Sequence, residues 1–102
     1  MCEIIYTSLQ IQTILQPVFA DHKIKKAILF GSYAKGKAKK NSDVDILVDS
    51  GLRGLSFFGL LEDIVTALGK NVDLLDVSQL TSDSLVGEEI KKNGVVIYGQ
   101  EG

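Results

Sequence analysis

Apolar residues recur along this chain with two periods, and together they predict an alternation of helices and strands. Spacings of three and four residues predict helices at residues 8–21, 56–68 and 82–92, and a short helical segment from Tyr33. Short apolar runs bounded by turn residues predict strands at residues 27–30, 43–49, 71–77 and 95–98. Strands that alternate with helices in this way are typical of an α/β domain, here with a mixed sheet.

Individual residues predict where two of the helices begin and end. Pro17 falls late in the first helical stretch, and its ring and missing N–H should kink or end that helix near Gln16. Ser56 can cap the helix that starts there, and Gly69 should end it.

Two carboxylates stand at the start of the second strand. Side chains alternate along a strand, so Asp43 and Asp45 face one way and the apolar residues between and after them face the core. At an assumed separation of ~5 Å and an effective dielectric of ~20, their repulsion is ~3 kcal/mol. A divalent cation would relieve this repulsion, and Mg²⁺ favours carboxylate oxygens together with phosphate oxygens.

The lengths of the connections predict which strands meet. Ten residues separate Ser32 from Asp43, too few for a parallel crossover, so the first two strands should be antiparallel and Gly31 and Ser32 should lie beside the carboxylates. The long helical link to the third strand predicts a parallel pairing that brings Asp73 to the same place. Asp76, three residues further on, should point to the opposite face and serve a structural role.

The glycine spacing also invites comparison with a phosphate-binding P-loop. Gly31, Gly36 and Lys37 match that motif up to its last position, where a Ser or Thr hydroxyl binds Mg²⁺. This chain has Ala38 there, and Asn41 breaks the long helix that should follow. A P-loop is therefore disfavoured.

The combined pattern resembles the signature of the DNA polymerase β-type nucleotidyltransferase superfamily. Gly31-Ser32 is followed after ten residues by Asp43-x-Asp45, and a later strand carries Asp73. The local form is similar to the minimal nucleotidyltransferases, the antitoxin-like partners of HEPN-domain proteins. One departure is Lys35, where these proteins commonly have Arg; Lys keeps the charge but not the bidentate fork.

This resemblance implies a reaction and a role for each residue of the motif. The reaction is transfer of a nucleoside monophosphate, with ATP as the default donor, to a hydroxyl of a HEPN-domain partner, with release of pyrophosphate. Asp43 and Asp45 would bind two Mg²⁺ ions ~4 Å apart, and Asp73 would share the ion on the acceptor side. The β- and γ-phosphates would be held by Gly31 and Ser32, with Lys35 offsetting charge on the pyrophosphate.

The whole chain fits one small domain. Its 102 residues predict a single domain over 1–102, and a net charge of −2 argues against direct nucleic-acid binding. The lone Cys2 excludes an internal disulfide and is compatible with the cytoplasm. No apolar run approaches the length of a membrane span, and the first residues do not have the pattern of a signal peptide.

Some alternatives stay open at this level. The chain could be a binding antitoxin that neutralises its partner without turnover, and a homo-oligomer is an alternative to a monomer. Positive mean hydropathy, with Phe57 and Phe58 heading one helix, leaves surface that a second chain could cover. Tyr33 is expected to pack on the sheet, with stacking on a nucleotide base as its alternative.

Overall fold

The computed structural model describes residues 5–80 and 85–99, and the helices and strands predicted from the sequence are found there. The helices are α1 (Ser8–Asp21), α2 (Gly31–Ala34), α3 (Leu55–Leu68) and α4 (Leu85–Asn93). The strands are β1 (Lys26–Phe30), β2 (Val44–Asp49), β3 (Val72–Asp76) and β4 (Val95–Tyr98). A 3₁₀ turn (Val77–Gln79) follows β3. The last helix was expected from residue 82, and residues 82–84 lie outside the described part of the chain.

The four strands form one mixed sheet in the order β3-β2-β1-β4. The pairing of β1 with β2 is antiparallel and that of β2 with β3 is parallel, so both predicted pairings are confirmed. In this register Asp45 lies between Phe30 on β1 and Asp73 on β3. The final strand pairs with β1 at one edge, as expected.

The first helix continues through its proline. The predicted range of α1 is confirmed, because the helix runs from Ser8 to Asp21 with Pro17 inside it. Of the two effects expected of the proline, an end of the helix near Gln16 is therefore wrong, and a kink stays a prediction. The carbonyl that loses its donor at Pro17 belongs to Thr13, and both residues are exposed, so water can satisfy it. Side chains on both sides of the proline fix the helix to the core; they are Ile11, Leu15 and Phe19, all fully buried.

One end of α3 agrees with the sequence and the other does not. Gly69 ends the helix in the left-handed conformation, with φ of +68°, as predicted. The N-cap residue, however, is Gly54, and no side chain caps the helix, so the predicted capping role of Ser56 is wrong. The helix begins one residue earlier, at Leu55, whose side chain is exposed.

The hydrophobic core fills the space between one face of the sheet and the helices α1 and α3. As predicted, the alternate residues of β2 face this core; they are Val44, Ile46 and Val48, all fully buried. The opposite face of the sheet carries Asp45 and Leu47, and α4 contacts β1 and α2. Within residues 5–80 and 85–99, no helix combines the length and apolar content needed to cross a bilayer.

Candidate active site

The sheet brings the glycine turn against the central carboxylate. Gly31 follows β1 directly, and its φ of +72° lies in the left-handed region that other residues avoid. A Cβ atom at this position would collide with Oδ2 of Asp45. The backbone of the turn therefore approaches the carboxylate as closely as a glycine allows, which confirms the predicted proximity of the two motifs.

Three carboxylates crowd this end of the sheet. Burial, followed by the charge and hydrogen bond of Asp73 and the charge of Asp43, raises the pKa of Asp45 to about 6. In the part of the chain that the structure describes, no basic side chain forms an ion pair with any of the three. The site thus concentrates negative charge that only an added cation or a proton can neutralise.

The carboxylates of Asp43, Asp45 and Asp73 are near one another, but their oxygens do not all lie within the 4.8 Å typical of a preformed metal site. Among residues 5–80 and 85–99, the one trio of acidic or histidine side chains with ligand atoms all within 4.8 Å is Asp21, His22 and Asp63. His22 Nε2 lies 2.7 Å from Asp63 Oδ2, and the trio sits where α1 ends beside α3, on the helical side of the sheet. This surface cluster is separate from the predicted Mg²⁺ ligands.

The turn at Gly31 and Ser32, which is predicted to bind phosphate, is the start of a single helical turn. Helix α2 begins at Gly31, and the first N–H groups of a helix have no acceptor within it. The backbone closes behind this turn, because the Lys35 and Lys37 N–H groups donate to the carbonyls of Gly31 and Ser32. An anion at Gly31 and Ser32 would meet a fixed backbone beside the carboxylates.

Lys35 is engaged by a residue that nothing in the sequence linked to it. Its ammonium forms an ion pair with Oε1 of Glu89 on α4, and Asn93 donates to the other oxygen of that carboxylate at 3.0 Å. The hydrogen bonds from Lys35 and Asn93 hold the pKa of Glu89 below its usual range. The nucleotide-binding role of Lys35 stays a prediction, and this contact would have to open or adjust for it.

Tyr33 belongs to the core. Its side chain is 5% exposed and packs within the cluster between sheet and helices, so the base-stacking alternative is wrong. Its buried hydroxyl has no hydrogen-bond partner among the residues that the structure describes. A buried hydroxyl in that state costs ~1–3 kcal/mol of stability.

Asp76 has the structural role expected of it. It is 5% exposed, and its two oxygens accept hydrogen bonds from the backbone N–H and hydroxyl groups of Ser50 and Ser78, at 2.6–3.1 Å. Burial would raise its pKa, but these four donors outweigh burial and lower the pKa to about 2.

Comparison with known proteins agrees with the fold. The family model for "Polymerase beta, Nucleotidyltransferase" matches residues 10–102. This chain therefore belongs to the polymerase β nucleotidyltransferase family, and the predicted fold, a mixed α/β nucleotidyltransferase core, is confirmed.

Relatives of known name fall within one group of this family. A protein of Methanocaldococcus jannaschii, provisionally named a protein adenylyltransferase, is 36% identical over 72% of this chain and 85% of its own. The protein adenylyltransferase MntA of Thermococcus cleftensis is 46% identical over 58% of this chain and 62% of its own length. The MntA protein of Shewanella oneidensis is 28% identical over 78% of this chain, which spans only 57% of that protein.

Solved structures show the same architecture. A chain in the crystal structure of a toxin-antitoxin with AMP-PNP superposes with a TM-score of 0.75 and 26% identity, over 88% of this chain and 74% of that one. The complex of a tri-AMPylated Shewanella oneidensis HEPN toxin with its MNT antitoxin gives a TM-score of 0.69 over 92% of this chain and 74% of that one. At 21% identity, the second likeness concerns the fold alone.

Proposed function

We propose that this chain is a protein adenylyltransferase that moves AMP from ATP to a hydroxyl of a HEPN-type toxin and so acts as its antitoxin. The observation that carries the proposal is the contact between the Gly31 turn and Asp45, which is itself paired with Asp73 across the sheet. A phosphate binder and a carboxylate cluster thus meet at one point. The family, and the names of the relatives that share it, support the same reaction.

The donor set suits a divalent cation. Asp43 and Asp45 would hold two Mg²⁺ ions, and Asp73 would be a further ligand on the acceptor side. Oxygen-only ligands suit Mg²⁺, and three carboxylates without a basic partner in the described residues leave their charge available for it. When bound, the ions would neutralise the triphosphate and favour the deprotonated acceptor hydroxyl.

The residues of the chain divide the remaining tasks. Backbone N–H groups at Gly31 and Ser32 would hold the β- and γ-phosphates and orient the α-phosphorus toward the acceptor. The acceptor oxygen attacks this phosphorus, the bond to the bridging oxygen breaks, and pyrophosphate leaves as the hydroxyl proton passes to Asp73. Lys35, released from Glu89, would balance charge on the pyrophosphate.

The acceptor must come from outside this site. Asp43 and Asp73 are exposed, and they lie on the face of the sheet opposite α1 and α3. A partner protein can therefore place a hydroxyl directly over the carboxylates. A similar chain occurs in the crystal structure of a toxin-antitoxin with AMP-PNP, which supports a toxin as the partner proposed for this one.

The test is to co-express this protein with its neighbouring gene and to measure the intact mass of a co-purified HEPN-type partner after incubation with Mg²⁺ and ATP. We expect a gain of one or more AMP units, absent when the Asp43→Asn variant replaces the wild type. A partner that binds tightly, stays unmodified and is still silenced by the Asp43→Asn/Asp45→Asn variant would contradict transfer. That outcome would establish the non-catalytic binding antitoxin instead.

A further inference from the structure

A buried lysine lies beside the candidate site and has no role in the reaction above. Lys70 is 7% exposed and sits between the end of α3 and the start of β3. Its ammonium donates to the backbone carbonyl of Lys40 at 2.9 Å, and within residues 5–80 and 85–99 it forms no ion pair. Lysine is rarely buried without a carboxylate partner, because desolvating the ammonium is costly.

The single hydrogen bond joins the two segments that carry the outer carboxylates. Lys40 lies three residues before Asp43, and Lys70 lies three residues before Asp73. One backbone bond, from Val44 N–H to the Asn71 carbonyl at 3.1 Å, also joins these segments. The hydrogen bond from Lys70 to Lys40 is a second link between the same two segments, and it lies nearer the loop than the bond from Val44 to Asn71.

Apart from Ala38, which packs against the hydrophobic core, the loop before Asp43 has few contacts with the body of the protein. Its other hydrogen bonds are local, such as those between Lys39 and Ser42. Its lysine side chains are exposed, and Gly36 adopts a φ of +71°. Among the side-chain hydrogen bonds of the described residues, the bond from Lys70 to the Lys40 carbonyl is the one that joins this loop to a distant part of the chain.

We propose that Lys70 is a positioning residue, which fixes the loop ending in Asp43 relative to β3 and so sets the separation of Asp43 from Asp73. This inference rests on the proposed function, because that separation matters only if both carboxylates bind the same cations. The carboxylates here do not all lie within 4.8 Å of one another, so the loop must hold Asp43 within reach of an arriving ion.

The test measures Mn²⁺ binding by calorimetry, in the presence of a non-hydrolysable ATP analogue, for the full chain and its variants. Lys70→Met keeps the length of the side chain but cannot donate, and we expect it to weaken Mn²⁺ binding by about ten-fold. Lys70→Arg keeps a charged donor and should bind Mn²⁺ within about three-fold of the wild type. Lys25→Met, an exposed lysine before β1, is the control for the loss of one charge.

Two further readouts separate positioning from a structural role. Amide hydrogen exchange of residues 36–42 should accelerate in Lys70→Met and not in the control. The Mg²⁺ concentration for half-maximal AMP transfer should rise, with transfer partly restored at saturating Mg²⁺. A Lys70→Met variant that melts at a lower temperature but binds Mn²⁺ like the wild type would overturn the inference.

A second variant covers the case in which Lys70→Met does not fold. Lys70→Gln stays polar but is too short to reach the Lys40 carbonyl, so it should bind Mn²⁺ as weakly as expected for Met. Binding equal to the wild type in Lys70→Gln would overturn the positioning role and leave the proposed function standing. Failure of the wild type itself to bind Mn²⁺ with the nucleotide analogue would overturn both.

Discussion

The two ends of the parallel strand pair β2 and β3 each carry an aspartate, and the surroundings of these two aspartates are opposite in character. At the carboxyl end, Asp76 is buried and accepts four hydrogen bonds from Ser50 and Ser78. At the amino end, Asp45 is half-buried and faces the carboxylate of Asp73. The pKa of Asp76 is lowered to about 2, whereas that of Asp45 is raised to about 6.

The difference separates a carboxylate that stabilises the fold from one that the fold leaves unsatisfied. Four donors favour the charged form of Asp76, so its charge contributes to stability. Burial and neighbouring negative charge disfavour the charged form of Asp45, so its charge opposes folding until a cation is added. Perturbed carboxylates of the second kind are typical of functional sites.

The largest effect should come from removing charge at the amino end. Asp45→Asn should reduce AMP transfer to the partner by about 10³-fold or more, because a proposed Mg²⁺ ligand is lost. The matched control is Asp49→Asn, on the same face of β2 at its other end, which should transfer at nearly the wild-type rate. Initial rates of AMP transfer measure both variants. An equal fall in rate for Asp45→Asn and Asp49→Asn would mean that the amino end of β2 has no special role in the reaction.

Asp73→Asn should give the next largest effect, and it should act on turnover. We expect the rate to fall by about 10²-fold while nucleotide affinity changes by less than about three-fold, because the role proposed for Asp73 is on the acceptor side. Single-turnover rates and calorimetric binding of the ATP analogue measure the two quantities. An equal fall in affinity and rate would contradict the division of labour between Asp73 and the Gly31-Ser32 turn.

At the carboxyl end, substitution should affect stability instead. Asp76→Asn leaves two donors facing an amide N–H₂ group, and we expect it to lower the free energy of unfolding by ~2–3 kcal/mol. Denaturant unfolding measures this loss, with Glu62→Gln on the exposed face of α3 as the control. AMP transfer per folded molecule should be unchanged. A loss of transfer beyond the loss of folded protein would mean that Asp76 also takes part in the reaction.

The pH dependence of Asp76 has a defined sign. The pKa of Asp76 is about 2 in the folded protein, whereas an unperturbed aspartate has a pKa of 3.8. The charged carboxylate therefore contributes its full stabilisation above about pH 4. That contribution is lost as the pH falls from about 4 toward 2. The stability difference between wild type and Asp76→Asn should therefore narrow over this range, and a difference that stays constant would count against the hydrogen-bonded carboxylate.

The smallest expected effect concerns the ammonium group of Lys35 and its ion pair with Glu89. Glu89→Gln should free Lys35 and remove a negative charge, so nucleotide binding should tighten by about two- to five-fold, the range of a partly exposed ion pair. Glu88→Gln, the exposed neighbour on α4, is the matched control. Weaker binding in Glu89→Gln would mean that Glu89 holds Lys35 in its working position.

Much of this arrangement could be predicted because it follows from connection lengths and strand alternation. Ten residues between Ser32 and Asp43 impose an antiparallel pair, and a helical link imposes the parallel pair that aligns Asp45 with Asp73. The same alternation placed Asp76 on the other face. These features depend on backbone geometry, which the sequence pattern constrains directly.

The features that could not be predicted depend on tertiary contacts. The apolar spacing predicted a helix over residues 8–21, but it could not tell whether Pro17 would end that helix early, because the helix is held by buried side chains on both sides of the proline. The contacts of Lys35 with Glu89 and of Lys70 with Lys40 join residues at least 30 positions apart. Charged side chains in loops carry no periodic signal, so the sequence could not indicate their partners.

We propose that the carboxylates at the amino end of β2 and β3 bind a cation and do not stabilise the fold. The melting temperatures of wild type and Asp43→Asn/Asp45→Asn at pH 7.5, first in chelator and then with Mg²⁺ and a non-hydrolysable ATP analogue, test this proposal. We expect the variant to melt at or above the wild-type temperature in chelator, and only the wild type to gain stability from the additions. A variant that melts below the wild type in chelator would mean that Asp43 and Asp45 stabilise the fold and would overturn this proposal.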